Sequence, residues 1–305
     1  MPHARRQALM LLHLTVFIWG WTGILGKLID QQALPLVYTR TWIAAAGMLI
    51  AALFLRRSLD PRVPDLKQYL LTSLLIAAHW YTFYEAIKIS TASIAAACLA
   101  TSTVFTAVLE PFWFKRRIRG YEVVLGIIVV AALLLIFGLE TEHRWGIVVG
   151  TLSALLSAWF NVVNGVLVKR GDAFRIGFYE MVGAGIAVGI ALVFVDGLPP
   201  PLWTLPSSDI IAHLALGFIC TSFAFIAGIA VMRQLSPFTV VLAVNLEPVY
   251  TIIIALLIWK SEERLDTGSY IGIALILACL FGNAWWQKRL SAKQAVTEPD
   301  PLAQG

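Results

Sequence analysis

The sequence predicts an all-α integral membrane protein with ten transmembrane helices arranged as two inverted five-helix repeats. Three observations carry that prediction. Of 305 residues, 59% are hydrophobic and 13% charged, with a mean hydropathy of +0.80. A water-soluble chain of this length needs far more charge to cover its surface. Ten apolar spans, at 8–29, 36–55, 67–88, 92–114, 121–138, 146–168, 174–195, 209–232, 237–259 and 267–286, are each long enough to cross about 30 Å of hydrocarbon. Five spans per half force the second half to enter the bilayer upside down relative to the first, which is the plan of duplicated transporters with a site at the midplane between the halves. The repeats are read as 1–139 and 140–290. Residues 291–305 form a polar tail with two prolines, a composition that predicts disorder.

Span 1 follows Arg5 and Arg6 and could pass for a signal peptide. It is too long for one, lacks a small-residue cleavage site and is followed by nine further spans, so it reads as a retained helix. The basic residues then set the orientation. With the N-terminus inside, the inner connections hold seventeen of the Lys and Arg residues, among them Arg56 and Arg57, the KRRIR run at 115–119, Lys169, Arg170, Arg175 and Arg233. The outer connections hold four, Lys88, Arg144, Lys260 and Arg264, while Lys27 and Arg40 fall at outer helix ends. The positive-inside rule therefore places both termini in the cytoplasm, in a cell membrane read as a bacterial inner membrane. The net charge of +5 reports topology, and the basic run is an orientation signal with no nucleic-acid partner implied. Cys98, Cys220 and Cys279 lie inside apolar spans without metal-site spacing.

The two halves also match each other. Residues 91–120 overlay 236–265 at a shift of 145, pairing Thr106 with Thr251, Lys115 with Lys260 and Arg119 with Arg264. Lys88 pairs with Arg233 upstream, Gly126 meets Gly272 one residue further along, and a shift of 140 pairs Trp19 with Trp159. With the tryptophan-rich LTVFIWGWTGILGKLI at 14–29, AIKISTASIAA at 86–96 and SPFTVVLAVNLEPVYTIIIALLIWKSEERL at 236–265, the chain resembles EamA-type transporters of the drug/metabolite transporter superfamily. The resemblance covers nearly the whole chain. It implies metabolite or drug transport without a cofactor, and leaves the substrate open. The family pattern often places proline mid-way along spans 4 and 9. Pro248 fits, but Thr103 stands at the matching place, with Glu110-Pro111 a turn or two beyond, so any hinge in span 4 is shifted or absent.

Ionisable groups inside spans are functional candidates by default. Glu247, beside Pro248 in span 9, would be held protonated in an apolar setting and could exchange a proton with a cavity. The alternative is a neutral acid bonded to a neighbouring helix. Span 6 carries Ser153, Ser157, Asn161 and Asn164, spaced four, four and three, as one polar stripe on a cavity wall or a helix contact. Span 1 offers Thr15, Trp19, Thr22 and Gly26 on one face, with Trp19 the better pocket wall and Trp21 turned to lipid or another helix. In span 3, His79 lies near mid-membrane as a relay, a solute contact or a structural donor, and Tyr84 and Trp80 add aromatic surface. Thr103 and Thr106 continue at helical spacing to Glu110, and Asn245 lies near Glu247. These make a candidate cavity of Trp19, His79, Tyr84, Thr103, Asn161, Asn164 and Asn245, with Glu247 as proton-coupling candidate. Lys27, Arg40 and Glu85, with Lys88, suggest an outer ion-pair network or gate, and Glu110 a cytoplasmic one. Glu180 could pair with a basic inner loop. The pairs Gly146/Gly150, Gly185/Gly189 and Gly268/Gly272 have GxxxG spacing suited to close contacts within a monomer or a weak dimer.

The reading is a secondary transporter of a small-molecule substrate in the lipid bilayer, coupled to protons or to the substrate's own gradient, and exporting amino acids or similar amphipathic metabolites. A multidrug permease of the same fold, an intramembrane lipid-modifying enzyme using His79 and Glu247, and a channel are the competing readings. The sequence holds no HExxH, GxSxG or phosphate-binding glycine loop. A phosphorylated substrate is disfavoured while no Lys or Arg stands mid-membrane, an argument that fails if Lys27 or Arg40 turns inward. The orientation has a direct check. Cysteines placed at Glu142 and Asp196 are expected to react with impermeant thiol reagents from outside, and cysteines at Arg117 and Asp172 to stay unlabelled; the opposite pattern rejects it.

Overall fold

The computed structural model describes residues 2–60, 65–115, 141–195, 197–244, 246–260 and 265–275, with shorter stretches at 124–125, 127–129, 131–132, 277–279 and 281–282 and single residues at 135, 138 and 285. Half of the expected fifth span, most of the KRRIR run, Asn245, Arg264 and the tail lie outside the described residues.

All regular elements among the described residues are helical. Span 1 is split into α1 (Pro2–Trp19) and α2 (Thr22–Leu28). Span 2 is α3 (Ala33–Phe54) and span 3 is α4 (Leu66–Ile89). Span 4 divides into α5 (Ala92–Leu99) and α6 (Ser102–Phe114). Spans 6 and 7 are α7 (Arg144–Leu167) and α8 (Ala173–Val195). Span 8 is α9 (Ser207–Leu214), a π-helical segment (Ala215–Phe223) and α10 (Ala224–Val231). Span 9 holds α11 (Pro237–Val244) and α12 (Leu246–Trp259). Six helices among the described residues are long and apolar enough to cross a bilayer. Span 3 is the most informative exception. The residues that lower its hydropathy, such as Thr72, Ser73, His79 and Thr82, are buried between helices. A helix walled by protein needs less apolar surface than one facing lipid.

Local chemistry explains the boundaries. Thr91 caps α5, its side chain accepting from the Ile94 N–H at 3.1 Å. Pro35 sits in the first turn of α3, where no N–H is required. The repeat-related Lys115 and Lys260 both end their helices with left-handed backbone, at φ 52° and 41°. This places the same stop at equivalent points of the two halves, in a conformation more often given to glycine. Span 4 does break, but at Ala100–Thr101 rather than near Glu110-Pro111; α6 runs through Pro111 to Phe114.

The core is assembled by α4, which packs against α7, α8 and α3, with α5 and α6 against α7 and the π segment against α3. Large apolar side chains such as Leu53, Phe54, Val193 and Phe194 face outward, and Trp145 and Trp203 are exposed near helix ends, where aromatic belts lie. Glycines set the closest approaches. A Cβ at Gly146 would strike Ser90, and one at Gly150 would lie 2.9 Å from Cys98 Cβ. The GxxxG pair of span 6 therefore serves contacts within the chain. Gly20 and Gly23 meet Tyr250 and Thr251 of α12, and Gly26 receives the ring of Tyr84. Gly26→Ala is expected to cost roughly 1–3 kcal/mol through overpacking against that ring. Gly138→Ala, with nothing within 4 Å, should leave stability unchanged. Thermal unfolding of both variants in detergent measures the difference.

Candidate functional site

A cavity of about 70 Å³ opens among the spans of both halves, lined by Trp19, Thr22, Arg40, His79, Trp80, Phe83, Leu99, Ser157, Phe160, Asn161, Asn164, Phe225, Ile229, Val244 and Glu247. Pockets that hold drug-sized ligands are typically about 300–1,000 Å³. At its present size the cavity lies well below that range, and it is partly open rather than sealed.

Broken helical ladders position its walls. At the α1/α2 junction the Gly20 carbonyl accepts from Thr251 Oγ1 at 2.9 Å. The indole of Trp19 donates to the Cys220 carbonyl of the π segment at 3.1 Å, and Thr221 and Ser222 bond back five residues to Leu216 and Gly217. In lipid each freed backbone group needs such a protein partner. Breaks and π turns of this kind recur at functional sites. Gly228 leaves room for the outer edge of the Trp19 ring, while Trp21 is exposed, as expected for its side of the helix.

The expectation for Arg40 is overturned. The side chain turns into the cavity and is 3% exposed. Because α3 begins at Ala33, Arg40 lies about 10 Å inside the helix, at 1.5 Å per residue. Its Nε donates to Thr221 Oγ1 at 2.8 Å and its Nη1 to Tyr84 Oη at 2.6 Å. The guanidinium carbon stacks 3.8 Å from the Trp80 ring centre. A desolvated cation–π contact is worth about 2 kcal/mol and a hydrogen bond to a charged group about 1.5–3 kcal/mol, against a desolvation cost of several kcal/mol for a buried ion. The argument against a phosphorylated substrate, which assumed that no Lys or Arg turned inward, loses that premise with this placement. Nor do the outer residues gather with Arg40: Lys27 lies over the Trp259 ring at 4.4 Å and Lys88 donates to the Ile29 carbonyl at 2.6 Å, while Glu85 is half-buried on α4.

The remaining candidates separate clearly. Glu247 is buried on the cavity wall, with the Thr22 hydroxyl 3.4 Å from Oε1. His79 packs between Phe83 and Phe160, its Nδ1 3.0 Å from the Ser153 carbonyl and 2.8 Å from Ser153 Oγ. Donation from Nδ1 to that carbonyl leaves Nε2 as an acceptor. Ser153 is thereby consumed by a helix contact, while Ser157, Asn161 and Asn164 of the same stripe reach the cavity. Tyr84 stands behind Arg40 rather than on the wall. Thr103, Thr106 and Glu110 are buried along α6 away from the cavity, Thr106 bonding back to Ser102. Asn245 lies outside the described residues. Glu180 does not reach a basic loop; it is fully buried on α8 and accepts from Asn164 Nδ2 at 3.3 Å. Sequence reasoning missed Phe160, Phe225 and Thr221, whose apolar or hydroxyl side chains carry no distinguishing signal alone. For Arg40 a signal existed: it shares a helical face with Val37, Thr41, Ala44 and Met48, a row of small and medium side chains that marks a helix contact.

These observations define a multi-pass helical membrane protein with a small, mainly apolar cavity inside its bundle that holds Arg40, His79 and Glu247. The chain belongs to the EamA-like transporter family, of the drug/metabolite transporter superfamily, which matches residues 6–138 and again 144–285. A crystal structure described only as that of a protein matches 90% of this chain and 97% of its own, with a TM-score of 0.67 at 15% identity, a likeness of fold alone. No curated protein matches the chain.

One contact gives a stability test. Asn164 Oδ1 and Glu180 Oε1 are buried without hydrogen-bond partners. Glu180→Gln supplies an N–H to this pair and is expected to leave stability equal or raised. Glu180→Leu strands Asn164 and should cost about 1–3 kcal/mol, read by thermal unfolding.

Proposed function

We propose that the protein is a secondary transporter of small metabolites such as amino acids, exporting them by alternating access around this cavity, with both termini on the cytoplasmic side of a bacterial inner membrane. The observation that supports it best is the cavity between spans of the two halves, holding Arg40, His79 and Glu247 together among Trp19, Trp80, Phe83, Phe160 and Phe225. Ionisable groups are expensive inside a bilayer and mark solute or proton paths. Aromatic walls suit the apolar part of an amphipathic solute, and Asn161 and Asn164 supply hydrogen bonds. Asn161 Nδ2 currently turns back on the Ser157 carbonyl at 2.9 Å, a local bond that a solute can replace.

Glu247 is the proton-coupling group in this reading. Protonated, it suits the closed and drier cavity; ionised, it requires water or a cationic part of the solute. The charged and titratable groups near it are Arg40 from α3, Tyr84 and His79 from α4 and Cys220 from the π segment. Glu247→Gln keeps size and most hydrogen bonding while removing titration. The variant is expected to express and unfold like wild type, yet to transport more slowly or without pH dependence in proteoliposomes carrying a pH gradient. Normal transport with an unchanged pH profile assigns Glu247 a structural bond only.

A further inference from the structure

We propose that Arg40 is the group that receives the solute, binding a carboxylate or comparable singly charged anionic group, an inference that rests on the transporter reading above. Arg40 is the one Lys or Arg, and Glu247 the one Asp or Glu, among the described residues lining the cavity. The two share this space without a direct salt bridge: Glu247 meets Thr22, and Arg40 meets Thr221, Tyr84 and Trp80. Every direct partner of the guanidinium is thus an uncharged hydroxyl or a ring. A cation kept only for structure, at the cost of burial, is expected to face a carboxylate or a set of carbonyls.

The geometry is that of a prepared receptor. The guanidinium carbon lies over the Trp80 ring, 3.8 Å from its centre, and Thr221 and Tyr84 fix two of its nitrogens. Two bonds use two of the five N–H donors, leaving three in the planar fork that fits a carboxylate through paired hydrogen bonds. The holding contacts come from α4 and the π segment, so the fork is oriented before a solute arrives, and little ordering is left to binding. One positive charge in a low-dielectric space balances one negative charge. A phosphate monoester brings nearly two and finds no second Lys or Arg among the described lining residues. Neutral and purely cationic solutes gain nothing from this arrangement, so Arg40 acts as a specificity residue.

The test uses matched acids, primary amides and alcohols on common carbon skeletons, each with and without an amino group, for example leucine, leucinamide, leucinol and 4-methylpentanoate. Thermal stabilisation of the purified protein and counterflow in proteoliposomes are measured for wild type, Arg40→Lys and Arg40→Gln. The expected result is that acids bind and exchange while the paired amides and alcohols do not. Arg40→Lys should weaken the acids about tenfold and Arg40→Gln about 100-fold or more. The decisive readout is the ratio of acid to amide, which a general loss of folded protein leaves unaltered. Tyr84→Phe, which releases Nη1 while keeping the charge, should lower that ratio in part. Carriage of amides or alcohols as readily as acids, or an unchanged ratio in the Arg40 variants, overturns the role of Arg40 and leaves the transporter reading standing. Failure of every solute, of any charge, to bind or exchange overturns both.

Discussion

The structure depends on holding one cation, Arg40, buried inside the bundle at the wall of its cavity. Its charge is held by an indole face, a phenol and a threonine hydroxyl contributed by two other helices. Each of those groups requires something further. Tyr84 can stand behind the guanidinium only because Gly26 of α2 has no side chain. Thr221 can present its oxygen because the ladder around it runs in π rather than α spacing. The interaction thus ties spans 1, 2, 3 and 8 into one arrangement, three from the first half of the chain and one from the second. Glu247 adds span 9 to the same space through Thr22.

Much of the architecture was legible because the bilayer permits few solutions. Backbone groups in hydrocarbon must bond within their own segment, so long apolar runs can only be helices, and the described helices follow those runs closely. The polar stripe of span 6 and the choice of Trp19 over Trp21 followed from helical spacing alone, since side-chain direction on a helix is fixed by residue number. The family resemblance, carried by the first span, residues 86–96 and span 9, agrees with the match over both halves.

What the sequence hid were facts of rotation and depth. Hydropathy starts span 2 at residue 36, three residues after the helix begins, which sets Arg40 nearly a turn too close to the surface, where a snorkelling outer position is natural. Charge alone suggests a basic loop as a partner for Glu180, yet its burial between helices gives it the Asn164 amide instead. With Thr103 where the family pattern has proline, the sequence leaves the hinge in span 4 shifted or absent, whereas the helix breaks at Ala100–Thr101, two residues before Thr103. No periodicity argument finds such a break, because the hydroxyl residues Thr101, Ser102 and Thr103 around it fit a continuous helix equally well.

The π-helical segment, Ala215–Phe223, has a consequence for how this sequence can change over time. Bonds spanning five residues place more residues in each turn than an α-helix does, so the segment resets the angular phase of everything after it. Phe225 and Ile229 meet the cavity only with that reset in place. A codon lost or gained there would swing the remainder of the helix around its axis, exchanging lipid-facing and inward-facing side chains without altering hydropathy at all. Span 8 is therefore a stretch where point substitution is a smaller disturbance than a change of length. In alignments of related chains, a single-residue gap in this region would signal a rotated wall rather than a neutral difference.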